Sequence, residues 1–375
     1  MGRQRKTIRA GLAVVLLCLS TAAAAACPIC LGAGQQGKAQ QLAAAQQAVL
    51  ALPTGDVGRF RVVDVIRGER PASGTVEGGY PRNAPTTDAR LRKDEALLLV
   101  RDEQLANWGI LGAIGTPQSG WLRKLAVGKP AGEISTHERR ERIALVVPFL
   151  EHAQPLVAEI AYSDLAAAPY AAMRTAKPRL DARSVRAWLA DPELAGRHRL
   201  YLLLLGFAGN ARDADALEQR LEAAWRSGDA TNLASMLSAD LELRGAARMA
   251  WVEEKYLRDP ARSAAEVEAA LLALSVQGNA NGVIPRERVI QAYRVFMNAH
   301  PQRAGDVAPD FAAWQYWDAV PDYQALMKSG VRQQYPSMLA MLAYLRQSAD
   351  GRTPGSSVRV APPSSRTAPG LLRAP

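Results

Sequence analysis

LLLLGFAGN at residues 202–210 and LLALSVQGN at residues 271–279 share three Leu, a Gly and an Asn at matching places, 69 residues apart. Each is an apolar run that ends on a glycine, the residue that most easily closes a helix. Gly209, Gly245 and Gly278 fall 36 and 33 residues apart, so the echo spans about two such steps. Outward from these runs the apolar pattern has a helical period throughout. It predicts helices at 138–151, 154–167, 182–190, 196–208, 212–226, 231–243, 246–258, 264–277, 285–299, 309–319, 321–329 and 336–348. Ser263 with Glu266 has the spacing of a capping box, and Pro285 and Pro309 suit first turns.

Upstream the pattern changes. RFRVVDVIRGE (59–69) alternates and is rich in Val and Ile, SGTVEGGY and EALLLVRDE are further apolar runs, and Gly, Pro, Asn and Thr crowd the segments between them. That is the signature of short strands joined by turns. Before them, KAQQLAAAQQAVLAL reads as one helix stopped by Pro53 and Gly55. The expected fold is therefore α+β. A CxxC segment and short helix (27–54) lead into a small β domain, barrel or sandwich (55–127). An all-α domain (138–348) follows.

Repeating helix pairs of this length resemble the HEAT and tetratricopeptide class of α-solenoids over residues 138–348. The resemblance lies in the period and the helix-end glycines; neither family's consensus is present. It implies a scaffold with a long binding face. An irregular all-α bundle satisfies the same helix pattern.

Residues 1–26 predict export. Arg3, Arg5, Lys6 and Arg9 precede an uncharged stretch from Gly11 to Ala26, which closes on small residues directly before Cys27. This is the make-up of a signal peptide, and it places the mature chain in the periplasm or at the cell surface. No later run is long and apolar enough to predict a membrane span. The net charge of +10 owes eight of its positive charges to this leader and to Arg352, Arg359, Arg366 and Arg373, in segments without acids. The body is near balance, which argues against the dense basic face that nucleic acid needs. Residues 349–375, rich in Pro, Ser and Gly, predict a disordered tail. Its four Arg also suit a tether to anionic envelope components.

Candidate chemistry is sparse. Cys27 and Cys30 are the cysteines left once Cys18 departs with the leader. They have three readings: a local disulfide, a thiol redox pair, or soft ligands for copper or zinc together with a free α-amine. A lipid anchor on Cys27 is a further fate, though Ala24 stands where lipoprotein signals usually have Leu. A mature start at Cys27 before a β region is also similar to the netrin-like, tissue-inhibitor class. That class typically opens on C-x-C, whereas this chain has C-x-x-C. Gly32 to Ala39 contains GxGxxG and GxxxxGK on paper, but no strand can precede it and Ala39 lacks the hydroxyl a phosphate loop needs; a linker is expected. His137-Glu138 falls short of HExxH, and Glu253-Glu254 beside Lys255 reads as a solvated face. Trp314, Tyr316, Trp317 and Tyr323, near Phe311, are the densest aromatic cluster, read as inter-helix packing or as anchors for a protein or envelope partner. No residue set predicts catalysis. The function expected is non-enzymatic binding of another macromolecule through the helical scaffold, with thiol-redox or metal handling at Cys27 and Cys30 as the alternative.

Overall fold

The computed structural model describes residues 27–30, 37–79, 91–101, 108–127 and 134–351. The expected leader (1–26), most of the glycine motif at 32–39 and the tail from residue 352 lie outside them. Packing divides the chain into two compact units, Met1–Asp213 and Ala214–Pro375. The protein is α+β, as the sequence predicts. Among the described residues no helix is long and apolar enough to cross a membrane.

In the first unit a turn at Cys27–Cys30 precedes α1 (Lys38–Ala44) and five strands: β1 (Gln47–Pro53), β2 (Arg59–Arg67), β3 (Thr75–Gly79), β4 (Glu95–Arg101) and β5 (Trp108–Gly115). The pairings run β1-β2-β3-β5-β4 and return to β1, so each strand has a partner on both edges. Among the described residues only β3 and β5 pair in parallel. Val49, Phe60, Val62, Leu97, Leu99, Trp108 and Ile110 fill one common core. Gly112 at φ +150° lets β5 approach Leu156, whose Cδ2 lies 3.3 Å from where a Cβ would stand.

Two expectations fail here. The helix expected over 38–52 ends at Ala44, and QAVLALP becomes β1. Ala and Leu favour helix locally, but pairing on both sides and burial of Ala48, Val49, Leu50 and Ala51 at 0% exposure override that preference. β5, WGILGAIG, is absent from the expected strands because its glycines blur the alternation.

The sheet is followed in the same unit by α2 (Ser119–Ala126), α3 (Thr136–Val146), α4 (Pro155–Ala166), α5 (Tyr170–Met173), α6 (Ala182–Ala190) and α7 (His198–Ala208). The complete capping box belongs to Ser135 and Glu138 at α3. At Ser263 only half of one forms: its hydroxyl accepts from the Glu266 amide, while the Glu266 carboxylate takes the Ser263 hydroxyl and Arg262.

α8 (Ala211–Ser227) leads into the second unit, which holds α9 (Leu233–Arg244), α10 (Met249–Val252), α11 (Ala264–Ala280), α12 (Arg286–Ala299), α13 (Ala308–Ala313), α14 (Val320–Lys328) and α15 (Tyr335–Gly351). The expected helix 246–258 is a 3-10 turn, α10 and a π turn at Glu253–Leu257. Glu253 there is buried and takes Arg288, in contrast to the expected solvated face, while Glu254 stays exposed. Gly209 and Gly245 cap α7 and α9. Gly278 does not end a helix: α11 runs on to Ala280 and stops at Asn281, whose φ is +46°. A Cβ at Gly278 would sit 2.6 Å from the Trp314 ring, so this glycine answers to packing. The two halves of the echo thus share letters but serve different physical ends.

Candidate functional site

Of the four aromatic candidates, Trp314, Tyr316 and Trp317 lie in the turn after α13, and Tyr323 lies on α14. The helix expected over 309–319 stops at Ala313, and Gln315 at φ +55° turns the chain. The rings pack inward. Trp314 stacks on Tyr293 with centroids 5.8 Å apart and planes 7° apart. Tyr316 packs on Phe311 at 5.1 Å and accepts from Arg294 Nη2 at 2.8 Å. Trp317 lies 5.2 Å from Tyr344. Tyr323 is fully buried and donates to the Ala304 carbonyl at 3.1 Å. Trp314, Tyr316 and Trp317 keep partial exposure. Contacts of this kind add about 0.5–1.5 kcal/mol per pair beyond burial.

This layer supports a polar centre that the sequence reading missed. Tyr293 Oη donates to Asp310 Oδ2 at 2.5 Å, and Ser275 Oγ donates to Asp310 Oδ1 at 2.9 Å. Asn279 Nδ2 donates to Ser275 Oγ at 3.3 Å, and Trp314 Nε1 donates to Asn279 Oδ1 at 2.8 Å. The stacked indole therefore holds both Tyr293, by its face, and Asn279, by its NH. Burial raises the Asp310 carboxyl above its ordinary value, opposed by Tyr293, Ser275 and Asn279. Burial, then Asp310, pushes the Tyr293 phenol well up, so it stays a donor. Among the described residues the groups bonded to Asp310 are hydroxyls and an amide, none of them a cation.

Asp310 opens on a cleft of about 510 Å³ between α11, α12, the turn at Pro301–Val307, α13 and the start of α15. Leu271, Leu272, Val307 and Pro309 form apolar wall. At the rim Arg303 is matched by Glu268 at 3.2 Å and Asp306 at 2.8 Å. Beyond the cleft, α15 turns Ser337, Met341, Tyr344 and Ser348 inward and leaves Tyr335, Leu339 and Leu342 exposed. Asp310 escaped notice because an acid in a first helical turn is ordinary helix chemistry. Its one local signal is its place in PDFAAW, at the edge of the aromatic cluster.

The cysteines sit in the first unit. Cys27 N donates to the Ala168 carbonyl at 3.2 Å, and Cys30 N closes the turn on Cys27 O at 3.2 Å. The side chains are 1% and 6% exposed. A hydrogen bond from Cys30 lowers the Cys27 thiol against the opposing effect of burial, and the same bond and burial raise Cys30. Tyr162 beside them is pushed up to about 12, by burial first and Cys30 second. No group of three or more His, Cys, Asp or Glu is placed to hold a metal among the described residues. The Cys27 nitrogen that would supply a third ligand is spent on Ala168.

The glycine motif ends at α1. Ala39 N donates to Ser163 Oγ at 3.0 Å, and Ser163 Cβ lies 2.4 Å from where a Gly37 Cβ would stand. A phosphate has no room at that helix start. Comparison with protein-family models, with curated proteins and with solved structures finds no match to this chain.

Proposed function

We propose that this chain is an exported, non-enzymatic binding protein whose second unit takes a segment of another envelope macromolecule in the Asp310 cleft. One observation carries the reading: a half-buried carboxylate with only neutral donors lies at the back of an open, partly apolar cleft. A carboxylate in such surroundings gains from an arriving cation what burial cost it. Export is supported by the basic and apolar leader of the sequence. Two finer points of fold belong to the same proposal. The unbroken ring of strand pairing supports a barrel, since a sandwich leaves sheet edges open. The succession of short antiparallel-sized helices supports a repeat-like scaffold.

The test uses a photo-crosslinking amino acid in place of Leu272, made in cells. It should link one partner in the wild-type background and lose it in Asp310→Asn with an unchanged circular dichroism spectrum. The same linked partner in both chains defeats the reading.

The thiol reading keeps one specific support, the acidity difference between Cys27 and Cys30. Burial of both sulfurs favours a fixed local disulfide over exchange with a bulky substrate, and it also disfavours a lipid on Cys27. Thiol counting with and without denaturant decides it: two thiols reactive in the native protein would support exchange, and none even after unfolding a disulfide.

A further inference from the structure

We propose that the Asp310 cleft is a guanidinium site and that Arg373 of the chain's own C-terminal segment fills it when no partner is bound. This rests on reading the cleft as the binding site, and it names the chemistry of the occupant. The cleft presents Glu268, Asp306 and Asp310 against one guanidinium, Arg303, which already bonds Glu268 and Asp306. Asp310 is left with its charge uncompensated. Each of its oxygens accepts one hydroxyl, and a carboxylate has roughly four acceptor sites, so both oxygens can take a further donor. A guanidinium fork suits two parallel acceptors better than a point charge does.

The segment from residue 352 onward is the complement. It carries Arg352, Arg359, Arg366 and Arg373 and no acid. Arg373 follows Leu371 and Leu372, which match the apolar wall of Leu271 and Leu272. Reach disfavours Arg352 and Arg359, and the flanking Leu371 and Leu372 single out Arg373 over Arg366. The start of α15 lines the cleft, and its 17 residues carry the chain roughly 25 Å away at about 1.5 Å per residue. At about 3.3 Å per residue, Arg352 cannot return and Arg359 does so only at full extension, whereas Arg373 has about 70 Å of chain to spend. Tethering gives the segment an effective concentration of order mM, enough to populate a weak contact. A partner must then displace it, so the segment acts as an internal competitor.

The test is made on the full chain with p-benzoylphenylalanine in place of the exposed Gln334. Irradiation should link position 334 to the peptide containing Leu371–Arg373, within monomers. The yield should fall about tenfold or more in Arg373→Gln and in Asp310→Asn, and should hold in Arg352→Gln. The circular dichroism spectrum and melting of Arg373→Gln must match the wild type, so that its effect does not pass through folding. No such link, a link equal in all variants, or a link found only between two copies overturns the inference. A synthetic peptide of residues 364–375 titrated onto the full-length Arg373→Gln chain separates the two claims. Saturable binding that needs Asp310, with no internal link in the wild type, overturns the tail as occupant and leaves the cleft's function standing. No Asp310-dependent binding overturns both.

Discussion

Asp164 on α4 of the first unit and Asp310 on α13 of the second are both carboxylates withdrawn from water, and burial raises both. They are treated differently. Asp164 is met by Arg142, whose Nε lies 3.1 and 2.8 Å from its two oxygens and whose Nη2 lies 2.5 Å from Oδ2. Asp240, also buried, is met by Arg248 at 2.6 Å and Arg244 at 3.1 Å. Asp310 has hydroxyls and an amide instead, and it lies on a cleft of about 510 Å³, whereas the space beside Asp164 is about 90 Å³ and is lined by Arg142 itself. A carboxylate that serves the fold is neutralised in place. One left without a cation beside open space retains charge for something that arrives.

The largest expected effect breaks the Asp164 side of this comparison. Arg142→Met strands a buried carboxylate and should cost about 3–5 kcal/mol in denaturant unfolding. A loss below about 1 kcal/mol would mean that Asp164 simply takes a proton, and the contrast would fall. Next, Gly278→Ala forces a Cβ into the Trp314 ring and should cost about 1–3 kcal/mol. Trp314 should also shift its fluorescence as it leaves Tyr293, and an unchanged emission spectrum would show that the ring is not pinned there. Cys27 and Cys30 are free thiols in the structure; a bridge formed between them on oxidation would close a very short loop, so Cys30→Ser should cost about 2 kcal/mol at most on chain entropy. Equal melting of oxidised wild type and variant would leave the cysteines without a structural part.

Asp310→Asn should change stability least, by about 1 kcal/mol or less, because no ion pair is broken. Its signature is the pH dependence. Between the ordinary carboxyl value of 3.8 and the raised one, the folded chain holds a proton that the unfolded chain has released. Wild-type stability therefore falls as pH rises through that window, and Asp310→Asn removes that part of the slope. The groups facing Asp310 are Ser275, Asn279 and Tyr293, with Glu268, Arg303 and Asp306 at the rim of its cleft. The slope is accordingly assigned to Asp310 only if it survives in Glu268→Gln and Asp306→Asn. Parallel curves for wild type and Asp310→Asn would place the proton elsewhere.

Helix positions were legible because a 3.6-residue period appears wherever one face is buried, and α6, α7, α9 and α12 fall close to their expected ranges. Strands β2, β3 and β4 were legible through alternation or β-branched runs. β1 was not, because the preference of Ala and Leu for helix is weaker than double-sided pairing. Trp314 was legible as part of a dense aromatic cluster suited to packing or anchoring, while only the tertiary structure shows it positioning Tyr293 and Asn279 around Asp310.

The amino-acid sequence alone determined the α+β class, the apolar faces of the helices, the basic N-terminal residues and the arginine-bearing C-terminal segment. These follow from local periodicity and charge, which need no partner in space. Tertiary structure alone decided that Gly278 yields to a ring instead of ending a helix. It also closed the ring of strands and set Asp310 apart from Asp164. Each of these depends on what residues distant in the chain bring to the same place, a cation in one case and only neutral donors in the other.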